Sequence, residues 1–294
     1  MSVFVLKLIA VISMLIDHFT DVMNLSGHMG VTWLYILGRS LGRPAFVIFC
    51  YLLVNGFDKT RDKKKYLSRL ISFSVISQLP YSLAFTKENF RCLSESSFRF
   101  DAVGMLPLLA VLLVYFLLVC GGRLDSSVIM LALALAFSRT DLCVSGIRLL
   151  DHESLNVFYT LAAGMAAMLL LDHLFSGKAS WYRALLGIAA LVTELYFVEQ
   201  NADYGLVGIA LIAGLYLTRE MKLLQVLSVM LWCFAEYRYR GAIYWPYCAG
   251  ALAALLPILL YNGKLGRKMR TAFYLIYPAH LTALGLIFIA LSRK

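Results

Sequence analysis

Charged residues are scarce in this chain. Only 15% of its 294 residues are Asp, Glu, Lys or Arg, whereas 61% are apolar and the mean hydropathy is +0.77. Soluble domains carry roughly 25% charged residues, so this composition excludes an ordinary soluble domain and indicates an integral membrane protein. The net charge of +10 is mainly a signal of membrane topology, and it does not indicate nucleic-acid binding.

Metal-ligand spacing and the signatures of soluble enzymes are also missing. The six cysteines are scattered, and most lie in apolar segments, where they behave as small hydrophobic residues. Cys92 and Cys143 fall in predicted outer loops, and whether they pair is left open. The sequence has no glycine-rich phosphate loop, no HExxH, no GxSxG and no periodic arginine helix. We therefore expect no metal cofactor and no voltage sensor.

Apolar runs follow one another along the whole chain. A run of ~20 residues is long enough to cross a bilayer. About eleven runs are present, at residues 2–23, 32–57, 66–86, 102–120, 126–143, 155–175, 181–198, 204–218, 223–236, 243–261 and 271–291. The loops are short and no internal repeat is visible. We predict an all-α polytopic transmembrane bundle of about 10–11 helices that forms a single domain over residues 1–294.

Lysine and arginine residues are densest in two loops, at residues 58–65 and 264–270, which lie on the same side of the predicted bundle. Because cytoplasmic loops carry an excess of these residues, we predict that this side, and the N-terminus with it, is cytoplasmic.

The first apolar run contains Lys7, Asp17 and His18, and ionisable groups are costly at membrane depth. Lys7 and His18 are separated by about three helical turns, so they share one helix face ~16 Å apart, and Asp21 falls on that face too. The acidic residues and His18 also occupy the place of a cleavage site, so we expect that the run is not a removable signal peptide. This face predicts a polar path inside the bundle.

Several cations lie at helix ends, where topology alone does not require them. Arg39 and Arg43 are spaced i, i+4 at the start of an apolar run, and Arg69 lies one turn inside the helix that follows Lys65. Arginine stays charged and suits bidentate anion recognition. We predict that these residues bind an anion, with snorkelling at the membrane interface as the alternative for the arginine pair.

Later runs carry further polar groups. Asn156 begins the run at 155, Glu194 lies inside the run at 181, and Asp203 and Tyr204 follow that run. The last run opens with Tyr277, Pro278 and His280, and a proline there frees backbone carbonyls. His280 is either a ligand-site residue or a hydrogen-bonded core histidine.

Taken together, six segments in order along the chain resemble the TraX family. They are LKLIA and MLIDH within 6–18, GRPAFVIFC and NGF within 42–57, KYLSRL and SQLPY within 65–81, NVFYTL at 156–161, ADYG at 202–205, and YPAHL at 277–281. The spacing from Lys7 to His18 is similar to the basic-x10-His pattern of a wider group of multi-spanning membrane acyltransferases. One departure is that the family places a proline nearer position 47, where this chain has Val47, with Pro44 instead.

The resemblance implies a bacterial inner-membrane enzyme that transfers an acetyl group from cytosolic acetyl-CoA. The family prototype is similar to an N-acetyltransferase that acts on the amino terminus of a pilin subunit, whereas the wider group includes enzymes that O-acetylate glycans. The acceptor is therefore a peptide amine or, alternatively, a glycan hydroxyl. We assign acid–base catalysis to His18, because imidazole titrates near neutral pH. The candidate catalytic residues are His18, Asp17, Asp203 and His280, and the candidates for binding acetyl-CoA are Lys7, Arg39, Arg43, Lys65, Arg69, Asn156, Tyr204 and Tyr277.

An acetyltransferase of this kind would bind CoA in a defined orientation, and two other functions are possible for such a membrane protein. The nucleotide of CoA is expected near Lys7 on the cytoplasmic side, with the sulfur near His18 and His280, and either Asp21 or a carboxylate such as Asp203 or Glu194 orients the ring of His18. A proton-coupled transporter would also use buried ionisable groups, but it often shows inverted repeats, which this chain lacks. A scaffold of an envelope assembly would not need Lys7 and His18 on one face. A homo-oligomer is left open.

Overall fold

A computed structural model describes residues 1–85, 96–118, 120–145, 147–175, 181–237, 244–267 and 270–292. Helices dominate these residues, and one small sheet accompanies them. The helices are α1 (Val3–Leu25), α2 (Trp33–Gly42), α3 (Pro44–Lys59), α4 (Lys63–Phe85), α5 (Ala102–Leu118), α6 (Ser126–Phe137), α7 (Val157–Phe175), α8 (Trp181–Asn201), α9 (Gly205–Leu217), α10 (Lys222–Tyr237), α11 (Trp245–Ala253), α12 (Leu255–Leu259) and α13 (Arg270–Ser292).

The predicted fold class is confirmed, because the described chain is an α-helical membrane bundle. Four described segments are long and apolar enough to cross a bilayer, namely Val3–Leu25, Trp33–Lys59, Val157–Phe175 and Ala272–Leu291. Shorter apolar helices include α5, α6 and α9. The number of crossings and the cytoplasmic N-terminus stay predictions.

Proline and a polar dipeptide divide three of the predicted runs. The run at 32–57 forms α2 and α3 with a break at Arg43, because the residue before Pro44 is disfavoured in a continuous helix. The run at 243–261 forms α11 and α12 over its described part, and Pro257 lies in α12. The run at 126–143 was predicted to be one helix, and this was wrong: α6 ends at Phe137, and the chain continues as a strand after Ser138 and Arg139.

An antiparallel sheet, which the sequence patterns did not predict, contains β1 (Ser97–Phe100), β2 (Thr140–Val144) and β3 (Ile147–Leu150) in the order β1-β2-β3. The buried Cys143 lies in β2. Cys92, whose pairing with Cys143 was left open, lies outside the described residues.

The chain divides into two compact units. The first contains residues Met1–Asp58 and Ala210–Lys294, and the second contains Lys59–Ile209. In the first unit, α1 packs on α2 and α13, and α2 packs on α11. In the second unit, α4 packs on α6, α7 and β3, and α8 packs on α5 and α7.

Glycines permit the closest helix contacts in the first unit. A Cβ on Gly38 would lie 2.4 Å from Thr20 Oγ1, and a Cβ on Gly250 would lie 2.0 Å from the carbonyl oxygen of Ser40. Small residues spaced i, i+4, such as Gly38 and Gly42, let membrane helices approach closely. The α1–α2 contact therefore depends on the absence of a side chain at Gly38, and the α2–α11 contact depends on its absence at Gly250.

Candidate active site

The first and last described helices bring two histidines together in the first unit. His18 lies on α1, which Ser2 caps by accepting a hydrogen bond from the Val5 N–H, and His280 lies on α13. His18 Nδ1 is 2.7 Å from His280 Nε2, and the two rings stack with an interplanar angle of 12°. The two histidines therefore form one hydrogen-bonded pair.

The hydrogen bonds of His280 decide which nitrogen of each neutral ring carries a proton. His280 Nδ1 is 2.8 Å from the carbonyl oxygen of Ile276, which can only accept, so Nδ1 carries the proton. Nε2 of a neutral His280 then accepts a hydrogen bond from His18 Nδ1–H. This arrangement places the basic lone pair of His18 on Nε2. A histidine, rather than the expected carboxylate, therefore orients the ring of His18.

Lys7 and Tyr277 lie along the same contact between α1 and α13. Lys7 Nζ is 5.4 Å from the centroid of the Phe273 ring, and the buried Tyr277 packs edge-on against both His18 and His280. Since Lys7 and His18 both contact α13, they share a helix face as predicted. Asp21, which was expected on that face, contacts α2 instead.

Asp17 and Asp21 pair with the two arginines at the end of α2. Arg39 Nη1 is 2.9 Å from Asp17 Oδ2 and 3.3 Å from Asp21 Oδ2, and Arg43 Nη2 is 3.9 Å from Asp17 Oδ1. The Arg39 and Asp17 side chains are only 15% and 12% exposed. Because Gly42 has no side chain, Asp17 fits beside it: a Cβ there would lie 2.2 Å from the Cβ of Asp17.

This cluster of Asp17, Asp21, Arg39 and Arg43 matches two carboxylates with two guanidinium groups. The arginines were predicted to bind the anionic end of CoA, and the geometry instead gives them ionic partners within the protein. Two tyrosines complete the cluster and were missed at the sequence level. Tyr35 donates a hydrogen bond to Asp21 at 3.2 Å, and the ring of Tyr247 lies 5.5 Å from Arg43 Cζ. Only the spacing of Tyr35, four residues before Arg39 on α2, could have indicated such a contact.

A second set of predicted residues meets in the second unit. The fully buried Asn156 donates from Nδ2 to the carbonyl oxygen of Ser74 and to Gln78 Oε1, both at 2.8 Å. Its Oδ1 accepts from the N–H of Phe158 at 3.0 Å, which caps the start of α7. These bonds use both amide donors of Asn156, so this residue joins α4 to α7.

Asp203 and Tyr204 form the turn between α8 and α9. The Asp203 N–H donates to the carbonyl oxygen of Leu155 at 3.0 Å, and its carbonyl oxygen accepts a hydrogen bond from Thr160. Tyr204 has a φ of 63°, a left-handed conformation that is uncommon outside glycine. The turn therefore docks on the start of α7, next to Asn156.

The remaining predicted cations lie on α4. Lys65 and Arg69 are both exposed, and the guanidinium of Arg69 lies 5.5 Å from the centroid of the Tyr66 ring. Neighbouring lysines make ion pairs: Lys63 with Asp172 at 2.8 Å and Lys64 with Asp125 at 3.5 Å. Lys65 and Arg69 belong to the second unit, and Lys7 belongs to the first.

One group of the described residues offers metal-ligand atoms close together, at Asp141, Asp151 and His152. His152 Nδ1 already contacts both carboxylate oxygens of Asp141, at 2.8 and 2.9 Å, and Arg148 lies 3.4 Å from Asp151. The side chains of this group therefore already contact protein partners.

Comparisons with known proteins point to one family. The family described as TraX protein matches residues 2–151 and 104–288. Over 81 residues, the chain is 41% identical to a probable fimbrial assembly protein FimC, serogroup H1, from Dichelobacter nodosus. This match covers 28% of the chain and 32% of that relative, so the chain spans about a third of the curated relative it matches. No solved structure matches the chain.

Proposed function

The chain belongs to the TraX protein family, and on this premise we propose that it is a membrane-embedded acetyltransferase that uses acetyl-CoA. The observation that carries the proposal is the contact between His18 Nδ1 and His280 Nε2 at 2.7 Å. An acyl transfer needs a positioned base for the attacking group, and imidazole is the usual one. The paired rings supply such a base inside a membrane protein.

The proposed reaction needs no further reactant. The acceptor amine attacks the thioester carbonyl, a C–N bond forms, and the C–S bond breaks. His18 Nε2 removes the proton from the amine and returns it to the CoA sulfur, so that the products are an acetylated amine and free CoA. Before the proton transfer, His280 keeps the ring proton of His18 on Nδ1, so that the basic lone pair is on Nε2. It does so because its own Nδ1–H donates to the Ile276 carbonyl oxygen, so its Nε2 accepts from His18.

Lys7 is the cation that we assign to the anionic part of CoA in the first unit. Its ammonium lies beside Phe273 on the same α1–α13 contact as the histidine pair. Arg39 and Arg43 fit this role less well, because Asp17 and Asp21 already oppose their charges. The cation assignments of Lys65 and Arg69, and the involvement of Asp203, Tyr204 and Asn156, stay predictions for the second unit.

The proposed acceptor is the amino terminus of a pilin-like peptide, in a multi-pass protein of the bacterial inner membrane. The similarity to a probable fimbrial assembly protein supports a role in the assembly of surface fibres. A glycan hydroxyl is the alternative acceptor, because the same base would remove a hydroxyl proton.

The test is to incubate the purified full-length protein with acetyl-CoA and either peptides with a free amino terminus or glycan acceptors, and to measure released CoA. We expect peptide-dependent release that falls at least ~10²-fold in His18→Ala, the usual scale for loss of a general base. The control is a peptide with a blocked amino terminus. No acceptor-dependent release, or near-normal release by a folded His18→Ala protein, would refute the proposal.

A further inference from the structure

The small sheet of the second unit lies at one end of its apolar helices. β1 leads directly into α5, α6 leads directly into β2, and β3 is followed by α7. α7 is one of the segments that can cross a bilayer, and α5 and α6 are shorter apolar helices. The connections therefore place the sheet where these helices leave the hydrocarbon core.

The two faces of this sheet differ in polarity near β1. Directly paired residues share a face and successive residues alternate. Phe98 pairs with Leu142, so Phe98, Phe100 and Leu142 share one face. Arg99 pairs with Asp141 on the opposite face. β1 itself therefore presents Phe98 and Phe100 on one face and Ser97 and Arg99 on the other.

The apolar face is covered at one end and uncovered at the other. β3 packs on α4, and Leu150, which shares the face of Leu142, is buried. At the other end, the side chains of Phe98 and Phe100 are 69% and 43% exposed. Contiguous exposed apolar patches mark interaction sites, and the two phenylalanines extend the apolar face beyond its covered end.

The exposed aromatic pair continues into the exposed stripe of α5. Val103 and Leu106 follow Phe100 at spacings of three residues and are 78% and 64% exposed. Leu113 continues this exposed side at 55%. Because α5 is apolar throughout, we expect its exposed leucine stripe to face lipid. Since the sheet face continues into this stripe, lipid is the expected partner of the sheet face too.

The charged side chains near β1 do not lie on the face that carries Phe98 and Phe100. Arg99 is exposed on the polar face, and Arg139 pairs with Asp101 at 3.0 Å where α5 begins. Aromatic side chains favour the boundary between lipid headgroups and acyl chains, and arginine favours the phosphate level. We propose that β1 lies flat in this boundary of the bilayer, with Phe98 and Phe100 between acyl chains and Arg99 among the phosphates.

The test is a photocrosslinking scan of the full-length protein in its native membrane. p-Benzoylphenylalanine replaces Ser97, Phe98, Arg99 and Phe100 in turn, and cells are fed an alkyne-tagged fatty acid that enters phospholipids. The same substitution at Leu106 is the lipid-facing control. Size-exclusion elution of each purified variant checks that it folds.

We expect severalfold more phospholipid adduct at positions 98 and 100 than at 97 and 99, because strand side chains alternate. Equal labelling at all four positions would overturn the proposal. So would adducts at 98 and 100 that contain another protein, because a peptide or protein would then cover the face. The readout does not depend on acetyl transfer, so it stands or falls separately from the proposed function.

Discussion

His18 and His280 form a hydrogen-bonded pair across a sequence separation of 262 residues, with 2.7 Å between Nδ1 of one and Nε2 of the other. The pair joins the first helix to the last described helix. It also sets the tautomer of His18. The Ile276 carbonyl oxygen holds the proton of His280 on Nδ1, so His280 Nε2 accepts from His18 Nδ1–H.

Substitution of His280 tests whether it acts by positioning His18. His280→Gln keeps an oxygen that can accept from His18 Nδ1–H, whereas His280→Ala removes the acceptor. We expect the glutamine variant to release CoA faster than the alanine variant, with an unchanged KM for acetyl-CoA in both. Equal activity of the two variants would indicate that His280 does not position His18 through this bond.

Arg39 is predicted to be a structural residue. Removing one partner of a buried ion pair leaves an uncompensated charge, which costs roughly 3–5 kcal/mol. We expect Arg39→Gln to lower the free energy of unfolding by ~3 kcal/mol, measured by denaturation in detergent. Lys63→Gln is the matched control, because Lys63 and Asp172 are 31% and 47% exposed and exposed pairs contribute about 0–1 kcal/mol. A stable Arg39→Gln protein with a raised KM for acetyl-CoA would instead favour anion binding.

Gly42 makes room for the carboxylate of Asp17. Alanine there would place its Cβ 2.5 Å from Asp17 Oδ1, and overpacking of this kind costs about 1–3 kcal/mol. We expect Gly42→Ala to lower the thermal midpoint. In Gly214→Ala, the nearest atom lies at 3.4 Å, so helix propensity should keep or raise the midpoint. The reverse order of the two midpoints would show that α2 does not pack on Asp17 as described.

Asn156 is expected to stabilise the second unit. Asn156→Ala leaves Gln78 Oε1 and the Ser74 carbonyl oxygen without this donor in a buried site, which costs ~2 kcal/mol or more. Asn201→Ala is the control, because Asn201 is half-buried and its amide donates to the Phe197 carbonyl oxygen of its own helix. A change confined to the KM for acetyl-CoA, without loss of stability, would contradict this structural role and support the predicted role in binding acetyl-CoA.

Asp101 should make the stability of the second unit depend on pH. The Gly104 N–H donates to its carboxylate, and this bond, together with Arg139, lowers the pKa of Asp101 from its ordinary value of 3.8. A lowered pKa contributes stability above pH 3.8 that is lost as the pH falls through the folded-state value. Asp101→Asn keeps a capping oxygen, so it isolates the charge. We expect this variant to melt lower at neutral pH and to converge with the wild type in acid. A constant difference across this range would contradict the prediction.

Local patterns were enough for several of these features. Apolar length predicted the membrane helices, since each spanning helix must satisfy its own backbone within the lipid. Helical periodicity placed Lys7 and His18 on one face, and both contact α13. The motifs indicated the family, which the match to residues 2–151 and 104–288 confirms.

The partners of the site residues were not available from such patterns. The sequence by itself determined most of the helical segments and which side chains share a helix face, because those properties repeat every 3.6 residues along one helix. Only the tertiary structure decided that Asp17 contacts Arg39 rather than His18, that Asn156 contacts Gln78, and that β2 follows α6. The two side-chain contacts depend on which helices approach one another, as at Gly38 and Gly250, and β2 depends on pairing with β1 and β3.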